Sequence, residues 1–333
     1  AQALGWLRED GGRVGVRPGF EILTGPDRWI LLRELMWELA DPALVGQERP
    51  DDLVAPLLKL LERLKQELVP VQRLGAWAER DPDAERGLLL AAAARLFGAY
   101  AQATRRQRLL DFEDLIVLTV RLLDEQPDVR ARYAERYPWV MVDEYQDSNL
   151  AQERMVELLA GPTGNVVVVG DDDQSIYRFR GASRASLERF LASFPGARTQ
   201  ALGRNHRSSP AIVDAARALI ERNPDRVPKP LEASPGRPSG PRVEVWACGS
   251  GADEAAAVVE EIGRLRASGT SLDEIAVLCR THAVARPFAL ALGAAGIPFR
   301  QPGGQGLYSQ PEVRDVIAYL RLLDDPTDLV ALS

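Results

Sequence analysis

Between residues 28 and 126 the apolar side chains return every three or four positions. Trp29-Ile30-Leu31-Leu32, Leu35-Met36 and Leu39 form one such stripe. Leu53, Leu57, Leu60-Leu61, Leu64 and Leu68 form a second, and Leu88-Leu89-Leu90, Leu96-Phe97 and Tyr100 a third. A 3.6-residue period places each stripe on one face of a helix. No alternating run interrupts the block, so the pattern predicts an all-helical subdomain over 28–110, with Asp27 after Pro26 as a candidate N-cap. A further amphipathic helix, opened by Asp111, is predicted from Leu110 to Asp124.

From Tyr137 the pattern changes. Val140–Val142, Val166–Val169 and Thr199–Leu202 are short apolar runs of strand character. Helical stretches lie between them, at Gln152–Leu159 and Arg184–Phe190. This alternation predicts a parallel sheet with crossover helices. Residues 223–241 are rich in Pro and Gly and poor in large apolar residues, which is linker chemistry. A second alternating unit follows, with strands expected at Arg242–Ala247, Ile275–Cys279 and Ile297–Arg300. Helices are expected at Ala252–Ala267, Val284–Ala294 and Glu312–Leu323.

Two of the strands end in acid. Val140-Met141-Val142 runs into Asp143-Glu144-Tyr145-Gln146-Asp147, and Val166-Val167-Val168-Val169-Gly170 runs into Asp171-Asp172-Asp173-Gln174. Ligands of doubly wound sheets bind at strand ends of this kind. Carboxylates there can hold Mg²⁺ against a nucleotide phosphate, and a second acid can deprotonate an attacking water. Gln174 can sense a terminal phosphate without adding charge. Taken singly, each residue has a plainer use: Asp143 as a helix cap, Glu144 as a solvated side chain, Gln174 as a brace within its turn.

Tyr177-Arg178-Phe179-Arg180 interleaves aromatic rings with cations. This composition stacks on bases and forks onto phosphates, although the same alternation also fits an edge strand with a buried aromatic face. Gly203-Arg204-Asn205-His206-Arg207-Ser208-Ser209 follows the third strand candidate. Arg207 can grip a phosphate, His206 offers a flat ring, and Ser208 or Ser209 can cap the helix that begins near Pro210.

Composition changes little in this picture. The chain has 333 residues, enough for two domains, and a net charge of −7, so any nucleic-acid surface must be a local patch. Its two cysteines, Cys248 and Cys279, build no disulfide framework, which fits a reducing, cytoplasmic setting. Neither histidine sits in a metal-ligand pattern. No apolar run approaches the roughly 18 residues of a membrane span.

These motifs together resemble a superfamily 1 DNA helicase of the UvrD/PcrA/Rep family. Asp143 to Asp147 resembles the family's motif II. Gly170 to Ala182 resembles its motif III almost letter for letter, and Leu202 to Ser209 its motif IV. Asp111-Phe112-Glu113-Asp114-Leu115 is similar to the element where the helical insertion returns to the motor. Val277 to His282, and Glu312 to Leu323, are similar to parts of the second motor domain. The resemblance implies an α/β, P-loop NTPase (RecA-like) architecture with parallel sheets in two motor domains and an inserted all-helical subdomain. The expected boundaries are 1–27 for an early piece of the first motor domain, 28–110 for the helical insertion and 111–222 for the rest of that motor. The linker is expected at 223–241 and part of the second motor at 242–333.

The resemblance also implies roles. Asp143 would hold Mg²⁺, and Glu144 would be the base for ATP hydrolysis. Gln174 and Arg207 would contact the γ-phosphate, and His206 would stack near adenine. Tyr177 and Phe179 would stack on single-stranded bases beside Arg180, with Arg280 and His282 along the DNA. The family commonly has Tyr at His206, Trp at Phe179 and Asn at His282. No Gly-x-x-x-x-Gly-Lys-[Ser/Thr] phosphate loop occurs in the 333 residues, so the expectation is a middle fragment, inactive alone, of an ATP-dependent helicase. The parent would travel 3′ to 5′ on single-stranded DNA, act at single-strand/duplex junctions, and serve repair or replication beside repair or recombination proteins. Two alternatives are a helicase-nuclease subunit of the AddA or RecB type and a non-catalytic DNA-binding module.

Overall fold

The computed structural model describes residues 2–161, 163–175, 185–223, 226–302 and 311–324. Its described residues fall into two compact units. One comprises Ala1–Arg204 with Arg217–Leu231, and the other Asn205–Ala216 with the residues from Glu232 onward.

The first unit opens with helix α1 (Gln2–Asp10) and the short strand β1 (Glu21–Ile22). Then come α2 (Gly25–Leu39), α3 (Pro42–Val45), α4 (Val54–Gln66), α5 (Arg73–Ala78) and α6 (Ala84–Gln107). These are the helices the 3.6-residue stripes predict, and their apolar faces meet in one core around Leu32, Met36, Leu61, Leu96, Phe97 and Tyr100. Helix α2 starts earlier than expected. Thr24 occupies its N-cap position and Asp27 lies in its first turn, where a carboxylate suits the positive end of the helix.

Strand β2 (Leu109–Leu110) returns the chain to β1, which it pairs in parallel. Asp111 then opens α7 (Phe112–Glu125) through a reciprocal capping box with Asp114. Helix α8 (Pro127–Arg136) follows, and a second core gathers around Trp6, Phe20, Leu122, Leu123, Tyr133 and Leu159. Trp6 stacks on Tyr133 with ring centroids 4.7 Å apart.

Strand β3 (Val140–Val142), helix α9 (Leu150–Ala160) and strand β4 (Val166–Val168) form a βαβ unit in sequence order. β3 and β4 are parallel, with Val140, Met141 and Val142 opposite Val166, Val167 and Val168. Val140 joins the second core, whereas Met141 and Val167 are exposed on the other face. Buried parallel strands are usually covered on both sides. Helix α10 (Ala185–Ser193) packs on α9, where Arg189 makes a two-pronged pair with Glu153 at 2.6 and 2.7 Å.

The third strand candidate is corrected. Thr199–Leu202 forms no ladder; the pairing shifts to β5 (Arg204–Asn205), followed by α11 (Pro210–Ile220) and the partner strand β6 (Glu232–Ala233). The second unit continues with α12 (Gly251–Ala267), α13 (His282–Ala294) and α14 (Pro311–Asp324), close to the predicted helices. Its strands are a further correction: Arg242–Ala247, Ile275–Cys279 and Ile297–Arg300 carry no ladder among the described residues. Val245 and Leu278 there are more than nine-tenths exposed. A helix closes its own hydrogen bonds, but a strand exists only where another segment supplies partners about 4.8 Å away. No described helix is long and apolar enough to cross a membrane.

Candidate active site

The two acidic strand tips lie side by side because β3 and β4 are in register. The ladder runs past the strands themselves: Val169 donates its N–H to the Val142 carbonyl at 2.8 Å, and Tyr145 donates to the Val169 carbonyl at 2.9 Å. Tyr145 is buried under the tip and meets Phe190 of α10 edge-on at 5.5 Å. This anchor turns the chain sharply, and Glu144 takes the left-handed conformation, φ 52° and ψ 42°. A non-glycine residue is uncommon there, and such outliers gather at functional sites.

Asp143 and Glu144 are both exposed. Asp143 Oδ1 accepts the Glu144 N–H at 3.0 Å, so Asp143 braces its neighbour rather than capping a helix. Among the described residues no lysine or arginine pairs with either carboxylate. Glu144 Oε2 instead accepts a hydrogen bond from the Gln146 side-chain amide at 2.8 Å. Gln146 Oε1 accepts the Asp171 N–H at 3.0 Å, and Asp171 Oδ2 accepts the Gln174 side-chain amide at 2.7 Å. One run of hydrogen bonds therefore joins Glu144 to Gln174 across both tips. Gln174 also plays the plainer part foreseen for it, bracing its own turn.

The second acidic tip differs from the first. Asp171, Asp172 and Asp173 bring carboxylate oxygens within 4.8 Å of one another, a spacing compatible with a metal ion. Lys229 fills that place: its Nζ bonds Asp171 and Asp172 and lies 3.0 Å from Asp173. Arg226 forks onto Asp173 at 2.9 and 3.3 Å. Burial works against charge on Asp172 and Asp173, but Lys229 and the Val227 N–H hold Asp172, and Arg226 with Lys229 hold Asp173, below the ordinary carboxylate range. Burial likewise opposes the Lys229 charge, and the three carboxylates more than offset it, pushing its pKa up. Among the described residues Asp143 and Glu144 have no cationic partner, so Asp143 fits a Mg²⁺ ion, a hard cation that takes one or two carboxylates and keeps its waters. Sequence reasoning missed Lys229 and Arg226, which stand in the stretch read as linker, and it gave Gln146 no role of its own. The Gln inside the Asp-Glu-Tyr-Gln-Asp run was the available signal.

In the second unit, Asn205 Oδ1 accepts the N–H groups of Arg207 and Ser208 at 3.0 and 2.8 Å, making the turn before α11. Of the two serines expected to offer a cap, Ser208 or Ser209, Ser209 does not: its hydroxyl is buried without a hydrogen-bond partner among the described residues. Arg237 donates to the carbonyls of His206 and Arg207. The His206 and Arg207 side chains are exposed. Arg280 and His282 are exposed at the start of α13, whose first turn is capped by Thr281. Tyr177, Phe179 and Arg180 lie outside the described residues.

Two family models match the chain. The UvrD/REP helicase N-terminal domain covers residues 2–195, and the UvrD-like helicase C-terminal domain covers residues 201–333. Such domains carry an α/β fold of the P-loop NTPase class. The chain is 32% identical over 334 aligned positions to the ATP-dependent DNA helicase PcrA of Leuconostoc citreum, covering all of this chain and 43% of that protein. It is 39% identical over 285 positions to the ATP-dependent DNA helicase UvrD1 of Mycobacterium tuberculosis, covering 83% of this chain and 36% of that protein. It is 39% identical over 241 positions to DNA helicase II of Escherichia coli, covering 72% and 33% respectively. The chain thus spans less than half the length of these curated relatives.

Proposed function

The chain belongs to the UvrD/Rep helicase family, and from that premise we propose that it is part of the ATP-driven motor of a DNA helicase. We read its units as portions of two RecA-like motor domains, the helical block over 28–110 being an insertion in the first. The motor travels on single-stranded DNA, in the 3′ to 5′ direction, and opens duplex at junctions in DNA repair or replication.

Asp143 would hold Mg²⁺ through its exposed carboxylate, and the ion would supply positive charge to offset that of the phosphates. Glu144 orients a water and takes its proton as the water oxygen attacks the γ-phosphorus, leaving ADP and inorganic phosphate. Gln174 and Arg207 contact the γ-phosphate, and His206 stacks near the adenine ring. Tyr177 and Phe179 stack on unpaired bases beside Arg180, and Arg280 and His282 follow the strand.

The observation that carries this reading is the hydrogen-bonded run from Glu144 through Gln146 and Asp171 to Gln174. It brings a carboxylate suited to be a base and an amide suited to sense phosphate onto one edge. The test is Glu144→Gln in the intact protein. DNA-stimulated ATP hydrolysis should fall by about 10²–10⁴-fold, the usual loss when a general base is removed. Hydrolysis at the full rate would refute the assignment.

A further inference from the structure

We propose that Gln146 is a positioning residue, whose carboxamide fastens the Glu144 carboxylate to the neighbouring strand tip so that Glu144 and Gln174 are held as one body. The proposal rests on the reading of Glu144 as the base. Gln146 is 1% exposed, whereas Glu144 and Gln174 on either side of it are exposed. A buried amide needs partners for both its ends, and this one has them. Its nitrogen donates to Glu144 Oε2, and its oxygen accepts from the Asp171 backbone. The reverse orientation would set oxygen against carboxylate and nitrogen against N–H, so the partners themselves assign the amide.

Few residues could replace it. Glutamate would keep the acceptor but place a like charge beside Glu144. Methionine has similar length and neither function. Position 170 is shaped around the same group: a Cβ there would stand 3.0 Å from Gln146 Oε1 and 3.4 Å from its backbone nitrogen. Glycine at 170 lets strand β4 approach closely enough for the Asp171 N–H to reach the amide. Glu144, on a left-handed backbone at an exposed turn, has no other side-chain hydrogen bond among the described residues to fix its carboxylate. A base misplaced by about 1 Å can lose about 100-fold in rate.

The experiment compares Gln146→Glu, Gln146→Met, Gly170→Ala and Glu144→Gln in the intact protein, measuring DNA-stimulated ATP hydrolysis against ATP concentration. Both Gln146 variants should lose about tenfold or more in kcat while the KM for ATP changes less than about twofold, as when an interaction of the transition state is removed. A merely structural role would show as a lowered thermal transition or a raised KM rather than as a loss confined to kcat. Gly170→Ala keeps the amide but displaces it, and should lower kcat several-fold; it decides the matter if a Gln146 variant fails to give a cooperative thermal transition. Wild-type kcat in the Gln146 variants, with Glu144→Gln inactive, would overturn the positioning role alone. An active Glu144→Gln would overturn the base assignment and the proposal with it.

Discussion

Lys229 sits among three carboxylates with only a quarter of its side chain exposed, and at this position charge balance outweighs any single contact. Replacing it by methionine keeps the stem and removes the cation, leaving Asp171 and Asp172 without a counter-charge among the described residues. Breaking a part-buried ion pair from one side costs about 3 kcal/mol or more. Lys229→Met should therefore lower unfolding stability by about that much in a urea titration at neutral pH. The pH dependence has a definite sign. Asp172 and Asp173 are held below their ordinary range in the folded state, so their contribution is complete above the unfolded value of about 3.9 and fades as pH falls through the lower folded values. Lys229 is raised, so its contribution is complete below about 10.4 and fades as pH rises through its folded value. In Lys229→Met the acid-side loss attributable to Asp172 should shrink, which acid titrations of the two proteins would reveal.

Helix α7 is joined to the helical block by charge rather than by apolar contact at its first turn. Asp111, wholly buried, caps the helix by accepting the Asp114 N–H at 2.9 Å. It also accepts from Lys65 of α4 at 2.6 Å and from the Tyr100 hydroxyl of α6 at 3.3 Å. Arg28 of α2 stands 3.8 Å away, and Lys65 reaches on to Asp114 at 2.7 Å. Burial disfavours the Asp111 charge, but Lys65 and Arg28 hold its pKa below the ordinary range. Burial drives the Tyr100 hydroxyl the other way, well above a free tyrosine. Asp111→Asn keeps an oxygen for the cap and removes one carboxylate from a shared network, in which Asp114 still holds Lys65 and Glu62 and Glu113 still hold Arg28; it should cost about 1.5–3 kcal/mol, the value of a hydrogen bond to a charged group. Asp111→Ala should cost about 1 kcal/mol more, the usual value of an N-cap. Chemical denaturation of the two variants separates the cap from the charge. The helices here were legible because their stripes, caps and turns are local. The Asp111 side chain was read only as a cap, since its partners are brought in by α2, α4 and α6 from far along the chain.

At the scale of the whole molecule, these 333 residues carry a net charge of −7, so under the proposed function DNA would not be held by overall attraction. Cations grouped along a path would hold it, with aromatic stacking that salt affects little. Exposed Arg280 is one such cation in the proposed function. Arg280→Ala should weaken single-strand binding and reduce the slope of log K against log salt by about 0.7, the loss of one phosphate contact. Fluorescence anisotropy over a salt series measures both. An unchanged slope would place Arg280 off the strand path.

The sequence alone carried the helical block, the βαβ unit with its acidic tips, and the family resemblance, because each is written in a few contiguous residues. It overread the strands of the second unit: the apolar runs at Val245 and Leu278 state a preference for burial, yet a ladder needs partners that a linear pattern does not name. Only the tertiary structure decided which acids stay open and which are neutralised. Asp143 and Asp171 look equivalent at the ends of Val-rich runs, and what separates them is Lys229, arriving from 58 residues away. The same holds for Gln146, whose two partners come together only because β3 and β4 lie parallel and in register. Electrostatic balance and hydrogen-bond closure depend on distance in space, and chain folding sets that distance.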